Sequence, residues 1–468
     1  MASGQKLTDY ERKRLENIRR NQELIASLKI RSAVSELSSA SKRARTGNSD
    51  KSYKSRQEKR PSSPPVVRRS LRARGMPPDF SSLPDDGFTS GNAVEKKQNT
   101  QCLGPYSMKD AYEGPSGSDR SLFSCLQSTS TVDNGSSLVG NLDLNAMCLK
   151  PENVARILPG RITSVKFFLR TDIRMIVAGN RFGNVAFWNV DHKEDESKGE
   201  ESDGIYLYRP HSAPVSSVVF QQSFPSKIIT SSYDGFVRCL DAEKEIFDLV
   251  HVSDHAVYSM SQNPSFAHNL YLGDGGGDLV VYDQREKKAL SRWMLHEKRI
   301  NSIDFNSQNS NILLTCSSDR TACVWDIRKV KADKPDSFAT VSHGGSINSS
   351  FFSPSGKMFA TTSLDDTIGI ASGVNFEEFT KVYHFNQTGR WVTTFKAIWG
   401  WDDSYIFVGN MKRKIDVICS DTKIIKSLES ENMSAIPCRY DKHPSIFGTL
   451  AGATSGGQVY IWTCEQAL

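Results

Sequence analysis

From about residue 148 onward, short runs of apolar residues recur along the chain, and each run follows a polar turn. The steps between the ends of successive runs are 52, 42, 43, 46, 46 and 45 residues. A period of about 40–45 residues, with a turn and then an apolar strand that often ends in Trp-Asp, is typical of the blades of a β-propeller. The seven runs end at Trp188, Leu240, Tyr282, Trp325, Ala371, Val417 and Trp462.

Each run has an upstream partner in which apolar and small polar residues alternate, a pattern that indicates half-buried antiparallel strands. The partners cover residues 162–168, 215–220, 257–261, 300–305, 347–352, 392–399 and 436–444. The pattern therefore predicts an all-β fold, a seven-bladed WD40 β-propeller over residues 148–468. A further strand, which we place within residues 148–158, must complete the last blade and hide both sheet edges.

The fourth unit contains the letters of a catalytic Ser-His-Asp triad, at His296, Ser317 and Asp319, and it ends in Trp325. The same four residues occupy the positions of the WD40 structural tetrad, in which a buried His links the turn Asp to the indole N–H through the Ser. Such a network satisfies polar groups and fixes the blade, so we favour a structural role over a catalytic one. Three other units also have a His before the first strand: His211, His255 and His343.

Residues 1–30 are predicted to form a separate basic unit with one amphipathic helix over residues 7–30. Thr8 and Glu11 make a capping-box pattern at its start. A narrow apolar stripe consists of Leu15, Ile18, Ile25 and Leu28. A lone helix with such a stripe needs a surface to pack on, and the sequence leaves open whether this is a partner or the protein's own body.

Residues 31–147 are rich in Ser, Pro, Arg and Gly and contain few large apolar side chains. Such a segment buries too little apolar area to offset chain entropy, so we expect a disordered basic linker. Three basic clusters, at residues 41–47, 54–60 and 67–75, suit nuclear import or phosphate contact.

The charge of the chain is divided unevenly. Residues 1–100 contain 22 Lys and Arg against 11 Asp and Glu, whereas the remainder contains 37 against 42. A basic arm on a slightly acidic body is typical of a protein that meets nucleic acid or an acidic partner. A solvated tail without a partner is the alternative.

Several classes of site find no support in the sequence. No run approaches 18 apolar residues, so we expect no membrane span, and the N-terminus lacks the apolar segment of a signal peptide. The nine scattered cysteines include no C-x-x-C pair, which argues against zinc and disulfides and suits a reducing compartment. The glycine-rich stretch 273–278 lacks the Lys of a phosphate-binding loop and lies at a turn. We expect no catalysis, metal or cofactor.

Two units end in an unusual pattern, YDQR at 282–285 and WDIR at 325–328. The W-D-x-R pattern resembles that of substrate receptors that bind the damaged-DNA-binding adaptor of cullin-4 ubiquitin ligases. The resemblance implies that Arg285 and Arg328 face the adaptor on one rim of the ring. A plain surface charge is the alternative for both.

The sixth unit lacks Asp and Trp at its signature positions, and a loop at 385–391 with an adjacent Arg and Trp leads into it. A Trp on a loop can stack on bases, and a neighbouring Arg can pair with phosphate. A Trp packed against the next blade is the alternative. The residues that we predict to contact DNA are Gln387, Arg390, Trp391, Lys396, Lys412, Arg413 and Lys414.

Four segments together carry a specific resemblance: YERKRLENIRRNQELIASLKI, RRSLRARG, ILPGRITSVKFF with VAGNRFGNVAFWN, and NQTGRWVTTFKAIW. They resemble the WD repeat-containing protein 76 family, whose relative is damage-specific DNA-binding protein 2. In that relative a hairpin ahead of T-P-x-K-A pushes its tip into the duplex at a lesion. TTFKA at 393–397 matches, whereas the relative's own tip residues are absent. The resemblance therefore implies a base-probing loop without implying the relative's lesion preference.

We therefore predict a monomeric nuclear protein of the DNA damage response that binds damaged or modified double-stranded DNA through one face. Through the other face, the resemblance implies, it is a substrate receptor of a cullin-4 ligase. The alternative is a chromatin-associated scaffold that binds histones or another protein without direct DNA contact.

Overall fold

The computed structural model describes Arg19 and residues 104–114, 122, 123, 126, 142–170, 173–192, 203–221, 224, 226–331, 335–420 and 423–464. The chain divides into two compact units, Met1–Glu95 and Lys96–Leu468, and every described residue except Arg19 lies in the second. The predicted helix over 7–30 and the three basic clusters lie outside the described residues.

The second unit is the predicted seven-bladed β-propeller, in which each blade is an antiparallel sheet whose strands follow chain order from the inner to the outer edge. Blades 1 to 4 are β4–β7 (Ile162–Phe167, Met175–Asn180, Val185–Asn189, Ile205–Tyr208), β8–β11 (Val215–Phe220, Lys227–Ser232, Phe236–Asp241, Ile246–Val252), β12–β15 (Val257–Asn263, Phe266–Asp274, Asp278–Asp283, Lys288–Met294) and β16–β19 (Ile300–Phe305, Ile312–Ser317, Thr321–Asp326, Ala339–Ser342). Blades 5 to 7 are β20–β23 (Ile347–Phe352, Phe359–Ser363, Thr367–Ser372, Glu378–Tyr383), β24–β27 (Ile398–Trp399, Tyr405–Asn410, Lys414–Cys419, Lys423–Leu428) and β28–β30 (Pro437–Lys442, Leu450–Thr454, Gln458–Cys464).

The core is divided among the interfaces between blades. In β5, Met175 and Val177 belong to the cluster between blades 1 and 2, whereas Ile176 and Ala178 belong to the cluster between blades 7 and 1. Successive side chains of a strand point to opposite faces, so a strand covered on both sides needs an almost continuous apolar run. The described residues form seven such clusters, one at each interface between neighbouring blades.

The N-terminal part of the propeller closes the ring, as the sequence predicted. The strand β3 (Val154–Arg156) pairs antiparallel with β30 in the last blade. A shorter strand, β2 (Met147–Cys148), extends the pairing with β30, and a 3-10 turn over Pro151–Asn153 joins the two. The inner strand of blade 7 also contacts that of blade 1, which completes the circle.

The expectation of disorder over 31–147 is wrong for residues 104–114 and 142–147, and Leu142 and Leu144 of the second stretch are buried between blades 6 and 7. The strand β1 (Tyr106–Ser107) pairs with β11 and adds a fifth strand to blade 2, and the short helix α1 (Met108–Ala111) follows it. Met108 is fully buried in the cluster between blades 1 and 2. The segment is ordered because it adds apolar contacts to a core that already exists.

The tetrad of blade 4 is present, but the prediction that Ser317 links its His to its Trp is wrong. Thr315 Oγ1 lies 2.7 Å from His296 Nε2 and accepts a hydrogen bond of 2.8 Å from Trp325 Nε1. His296 Nδ1 lies 2.9 Å from a carboxylate oxygen of Asp319. Ser317 instead donates to the backbone carbonyl of Lys298 at 2.9 Å and bonds to neither the His296 ring nor the Trp325 indole.

The Asp–His–Thr part of this arrangement recurs in two further blades, which have Leu240 and Ala371 in place of the Trp. His211 Nε2 lies 2.9 Å from Thr230 Oγ1, and His343 Nε2 lies 2.8 Å from Thr361 Oγ1. His255 is exposed and takes no part in such a network. Burial by itself raises the pKa of Asp319, but the hydrogen bonds from His296 and Thr321 hold that pKa well below its ordinary value.

Candidate nucleic-acid interface

The antiparallel order within a blade divides the loops between two faces of the ring. The chain enters each inner strand from one face, and the turn between the second and third strands returns to that face. We call this the entry face. The turns after the first and third strands lie on the opposite side, which we call the exit face.

Residues 384–397, the entry loop of blade 6, depart from the regular blade. The sequence predicted a strand over 392–399, but β24 covers Ile398–Trp399. The N–H of Ala397 bonds to Thr362 Oγ1 of blade 5 at 3.1 Å instead of to its own blade. Residues 392–397, the half of the predicted inner strand nearer the entry face, are therefore not paired in the sheet of blade 6.

Buried side chains fix the first half of the entry loop. His384, Asn386 and Thr388 are 4%, 0% and 6% exposed, and they alternate with exposed residues. The Asn386 side chain donates to the carbonyl of Ser363 at 2.8 Å. His384 Nε2 lies 3.3 Å from the Asp416 carboxylate in the same blade. A polar network therefore occupies the place of the missing signature residues.

Beyond this anchor the chain makes a turn at Gly389, Arg390 and Trp391. Gly389 has a φ of 66°, a conformation that favours glycine, and the space around its α-carbon is open. Trp391 is 72% exposed, so the alternative of a Trp packed against the next blade is wrong. The arrangement presents a large planar side chain to solvent at the tip of the loop.

The second half of the loop is held by other blades. Arg161, which precedes blade 1, donates to the carbonyl of Arg390 at 2.8 Å. The backbone N–H of Thr393 donates to Ser455 Oγ of blade 7 at 2.8 Å. The loop is therefore braced on both sides of its tip, by blade 5 and blade 6 before it and by blade 7 and blade 1 after it.

A second exposed aromatic, Phe182, lies on the same face in the turn between β5 and β6 and is 44% exposed. The guanidinium of Arg181 lies 5.0 Å from the centre of its ring. The backbone N–H of Arg181 also bonds to the carbonyl of Arg161 at 2.9 Å. The prediction from sequence missed Phe182 and Arg161. The stretch NRFG, where other units have a turn Asp, was the available signal.

The other residues of the predicted site fall into two groups. Gln387, Lys412 and Arg413 are exposed on the entry face, and the Gln387 amide donates to the carbonyl of Leu364 at 2.9 Å. Lys414 forms an ion pair with Glu429, so its charge is largely balanced. The entry face of blade 6 thus offers Arg390, Lys412 and Arg413 as exposed cationic side chains.

The structure does not bring Lys396 to the surface beside Trp391. Its ammonium group is half-buried in the central channel and donates to the carbonyl of Asn301, on blade 4, at 3.2 Å. Burial, together with the nearby Arg439 guanidinium, lowers the pKa of Lys396 to about 7. Lys396 therefore belongs to the channel and not to the group of exposed cations.

Arg285 and Arg328 lie on the exit face, on the neighbouring blades 3 and 4, and their side chains are 65% and 62% exposed. Each pairs with the Asp two residues before it. Arg328 contacts both oxygens of Asp326, at 2.9 and 2.8 Å, and Arg285 contacts Asp283 at 3.3 Å. The two guanidinium groups are thus held in a fixed direction at the surface.

Within the part of the chain that the structure describes, no group of three or more His, Cys, Asp or Glu is placed to hold a metal ion. The seven described cysteines are free thiols. No helix among the described residues is long and apolar enough to cross a membrane.

Comparison with known proteins adds two findings. The family model for the WD domain, G-beta repeat, matches residues 288–326 and 337–370. Each match begins in the outer strand of one blade and runs through the inner three strands of the next. The sequence repeat is therefore offset from the blade, which agrees with the closure of the ring by an N-terminal strand.

Curated proteins are similar over nearly the whole chain. WD repeat-containing protein 76 of Xenopus laevis is 26% identical over 97% of this chain and 80% of that protein. DNA damage-binding protein CMR1 of Kluyveromyces lactis is 24% identical over 98% of this chain and 99% of that protein. WD repeat-containing protein 76 of Mus musculus is 26% identical over 98% of this chain and 75% of that protein.

Proposed function

We propose that this protein binds double-stranded DNA through the entry face, with Trp391 as the residue that probes base stacking. The observation that carries the proposal is the position of the Trp391 indole, which is 72% exposed at the tip of a loop whose two sides are both anchored. An exposed Trp of this kind gains little from the fold itself, so a partner is the better account of its position.

The physical argument rests on stacking and preorganisation. Stacking of a base on an aromatic side chain contributes about 1–3 kcal/mol. A loop that is already fixed loses little conformational entropy when it binds. Arg390, Lys412 and Arg413 add a sequence-independent attraction for phosphate. A weakened base stack at a damaged or modified site costs less to open, so such sites are the expected preference.

The relatives support the proposal of DNA binding, because proteins named DNA damage-binding protein CMR1 are similar to this chain over almost their full length. We infer a nuclear role in the DNA damage response for this chain. On the exit face, we propose that Arg285 and Arg328 bind the adaptor of a cullin-4 ubiquitin ligase. The two proposed surfaces lie on opposite sides of the ring, so both partners can bind at once.

The test is duplex binding by the full chain, measured by fluorescence anisotropy on intact, mismatched and modified duplexes. We expect Trp391→Ala to lower the affinity by about 5- to 150-fold, the equivalent of one base stack. The matched control is Phe338→Ala, which removes another exposed aromatic, 49% exposed, from the exit side. Equal effects of the two substitutions, or no duplex binding, would overturn the proposal.

Salt dependence gives an independent readout. Log affinity falls linearly with log salt. If Arg390 contacts a phosphate, Arg390→Gln makes this negative slope shallower by about 0.9. The carbonyl that Arg161 holds belongs to the backbone and remains in this variant. If duplex binding is absent while histone peptides bind to the entry face, the protein is a chromatin scaffold instead.

The adaptor proposal needs a separate test. We expect Arg285→Glu with Arg328→Glu to abolish capture of the purified adaptor, and Trp391→Ala to leave it unchanged. Lys357→Glu, a charge reversal on an exposed lysine of blade 5, is the control. Adaptor capture that survives the double reversal would exclude this use of the exit face.

A further inference from the structure

The central channel of the propeller encloses a cavity of about 540 Å³, lined by the inner strands of the blades. The channel has charged side chains at two levels. Inner strands run from the entry face to the exit face, so residues that come early in a strand lie nearer the entry face. Lys396 and Arg439 therefore lie nearer the entry face, at what we call the upper level. The lower level, nearer the exit face, contains Lys166, Asp304 and Asp441.

The upper level carries positive charge without a balancing carboxylate among the described residues. The charged neighbours that affect the pKa of Lys396 are Arg439, Arg299 and the Cys316 thiol. Arg439 is affected by Arg161 and by thiol and phenol groups. Both side chains are half-buried in the channel, and this burial lowers the pKa of each.

The hydrogen bonds of these two cations leave donors unused. Among the described residues Lys396 bonds to the carbonyl of Asn301, which engages one of its three N–H groups. Arg439 Nε donates to the carbonyl of Thr163 at 2.9 Å, and its Nη1 donates to the carbonyls of Thr394 and Cys438. Its Nη2 has no acceptor among the described residues. A negatively charged group with several acceptor oxygens could accept hydrogen bonds from these unused donors of Lys396 and Arg439.

The lower level differs because its charges are balanced. Lys166 Nζ lies 2.8 Å from Asp441. Burial raises the pKa of Asp304 to about 6, and its carboxylate accepts the N–H of Phe352 at 2.8 Å. Lys442 donates to the carbonyl of Gly400. An anion therefore gains most at the upper level, next to the entry loop of blade 6.

We propose that the upper level of the channel binds a small phosphate monoester or inorganic phosphate, with Lys396 and Arg439 as its ligands. Half-buried cations are stabilised when an anion pairs with them, and guanidinium and ammonium groups are the usual ligands of phosphate. The volume suits a molecule of the size of a nucleoside monophosphate. The site takes a free small molecule and does not depend on duplex binding at Trp391.

The test is calorimetric titration of the full chain with inorganic phosphate, and separately with a nucleoside monophosphate, at constant ionic strength. We expect saturable one-to-one binding that weakens at least tenfold in Lys396→Met. The control is Lys357→Met, the same substitution at an exposed lysine, which changes the affinity by less than twofold. No saturable binding, or equal losses in both variants, would overturn the proposal.

Proton uptake supplies a second readout that does not rely on a variant. An anion beside Lys396 raises the pKa of the ammonium group, so binding at pH 8 takes up a proton and binding at pH 6 does not. Sulfate is the probe, because it does not titrate in this range. Arg439 and Arg299 stay charged. Lys442, whose pKa burial lowers to about 8, belongs to the lower level and lies further from the anion. The absence of proton uptake at pH 8 would contradict a contact with Lys396.

A last comparison separates this site from the DNA surface. Trp391→Ala is expected to leave phosphate affinity within twofold, even if the protein binds no duplex. If Lys396→Met weakens duplex binding while small phosphates do not bind, then Lys396 serves the DNA backbone, and the small-molecule site is refuted.

Discussion

Replacement of Thr315 by Val is expected to destabilise the propeller more than replacement of Ser317 by Ala. Thr315 is fully buried, and Val has nearly the same shape, so the change removes a hydroxyl without leaving a cavity. Trp325 Nε1 and His296 Nε2 both lose their partner. With Nδ1 donating to Asp319, His296 Nε2 is the acceptor of the Thr315 hydroxyl, so one donor and one acceptor are left unsatisfied.

The magnitude follows from these two buried groups. Each unsatisfied group costs about 1–3 kcal/mol, so we expect a loss of about 2–6 kcal/mol for Thr315→Val. Ser317→Ala removes a hydrogen bond to the carbonyl of Lys298, and the net loss is expected to be about 1 kcal/mol. For about 300 ordered residues the unfolding entropy is about 0.6 kcal/mol/K, so these losses correspond to Tm shifts of about 3–10 °C and 2 °C.

The assay is thermal unfolding followed by circular dichroism, with urea unfolding as a check that the m-value is unchanged. Thr230→Val in blade 2 is the matched variant, because Thr230 makes the equivalent contact with His211. If Ser317→Ala lowers the Tm as much as Thr315→Val, then Thr315 is not the residue that links His296 to Trp325.

Three further predictions concern the channel and blade 6. Since the pKa of Lys396 is lowered to about 7, the unfolded state binds more protons between about pH 7 and 10, and stability rises with pH there. The Lys396→Met variant should be more stable than the unsubstituted protein by about 1–2 kcal/mol at pH 7, and this difference should shrink toward pH 10. The measurement is Tm as a function of pH for both proteins, and parallel curves would contradict the prediction. Asn386→Ala removes a fully buried side chain that holds the entry loop, so it should cost about 1–3 kcal/mol and speed proteolysis near residue 390, whereas unchanged cleavage would count against this anchor. Gly409→Ala would place a Cβ 2.1 Å from the carbonyl of Pro437 and 2.8 Å from the Phe395 ring, so a Tm drop of several degrees is expected, and an unchanged Tm would mean that the blades relax freely.

The sequence could predict the ring because a propeller repeats one local pattern. Every blade needs a polar turn and strands buried on both faces, so the period of about 45 residues was visible without any long-range information. Residues 104–114 carry no such signal. Their order depends on contacts with residues more than a hundred positions away, such as the pairing of Tyr106 with Phe247. A two-residue strand is too short to be distinguished from loop by its pattern.

The sequence repeats only partly indicate which hydroxyl residue links the His to the Trp in the tetrad. Thr230, Thr315 and Thr361 stand at equivalent positions in three blades, two residues before the serines at 232, 317 and 363. In β17, residues 315 and 317 point to the same side of the strand, and the sequence cannot tell which of them is nearer the indole. The position in the register decides it, since Thr315 pairs with Cys323, two residues from the Trp.

The candidate site lies where blade 6 departs from the repeat, and the departure explains both its exposure and its rigidity. Without the signature Asp and Trp, the upper half of the inner strand has no tetrad to close it, and its backbone leaves the sheet. Phe395 fills the space beside Gly409 and remains fully buried, while Asn386 holds the loop by donating to the carbonyls of Ser363 and Thr367 in blade 5. A loop released from its sheet yet fixed by these contacts presents Trp391 to solvent and turns Lys396 into the channel. The lost pairing therefore supplies the two features on which the proposed DNA and phosphate sites depend.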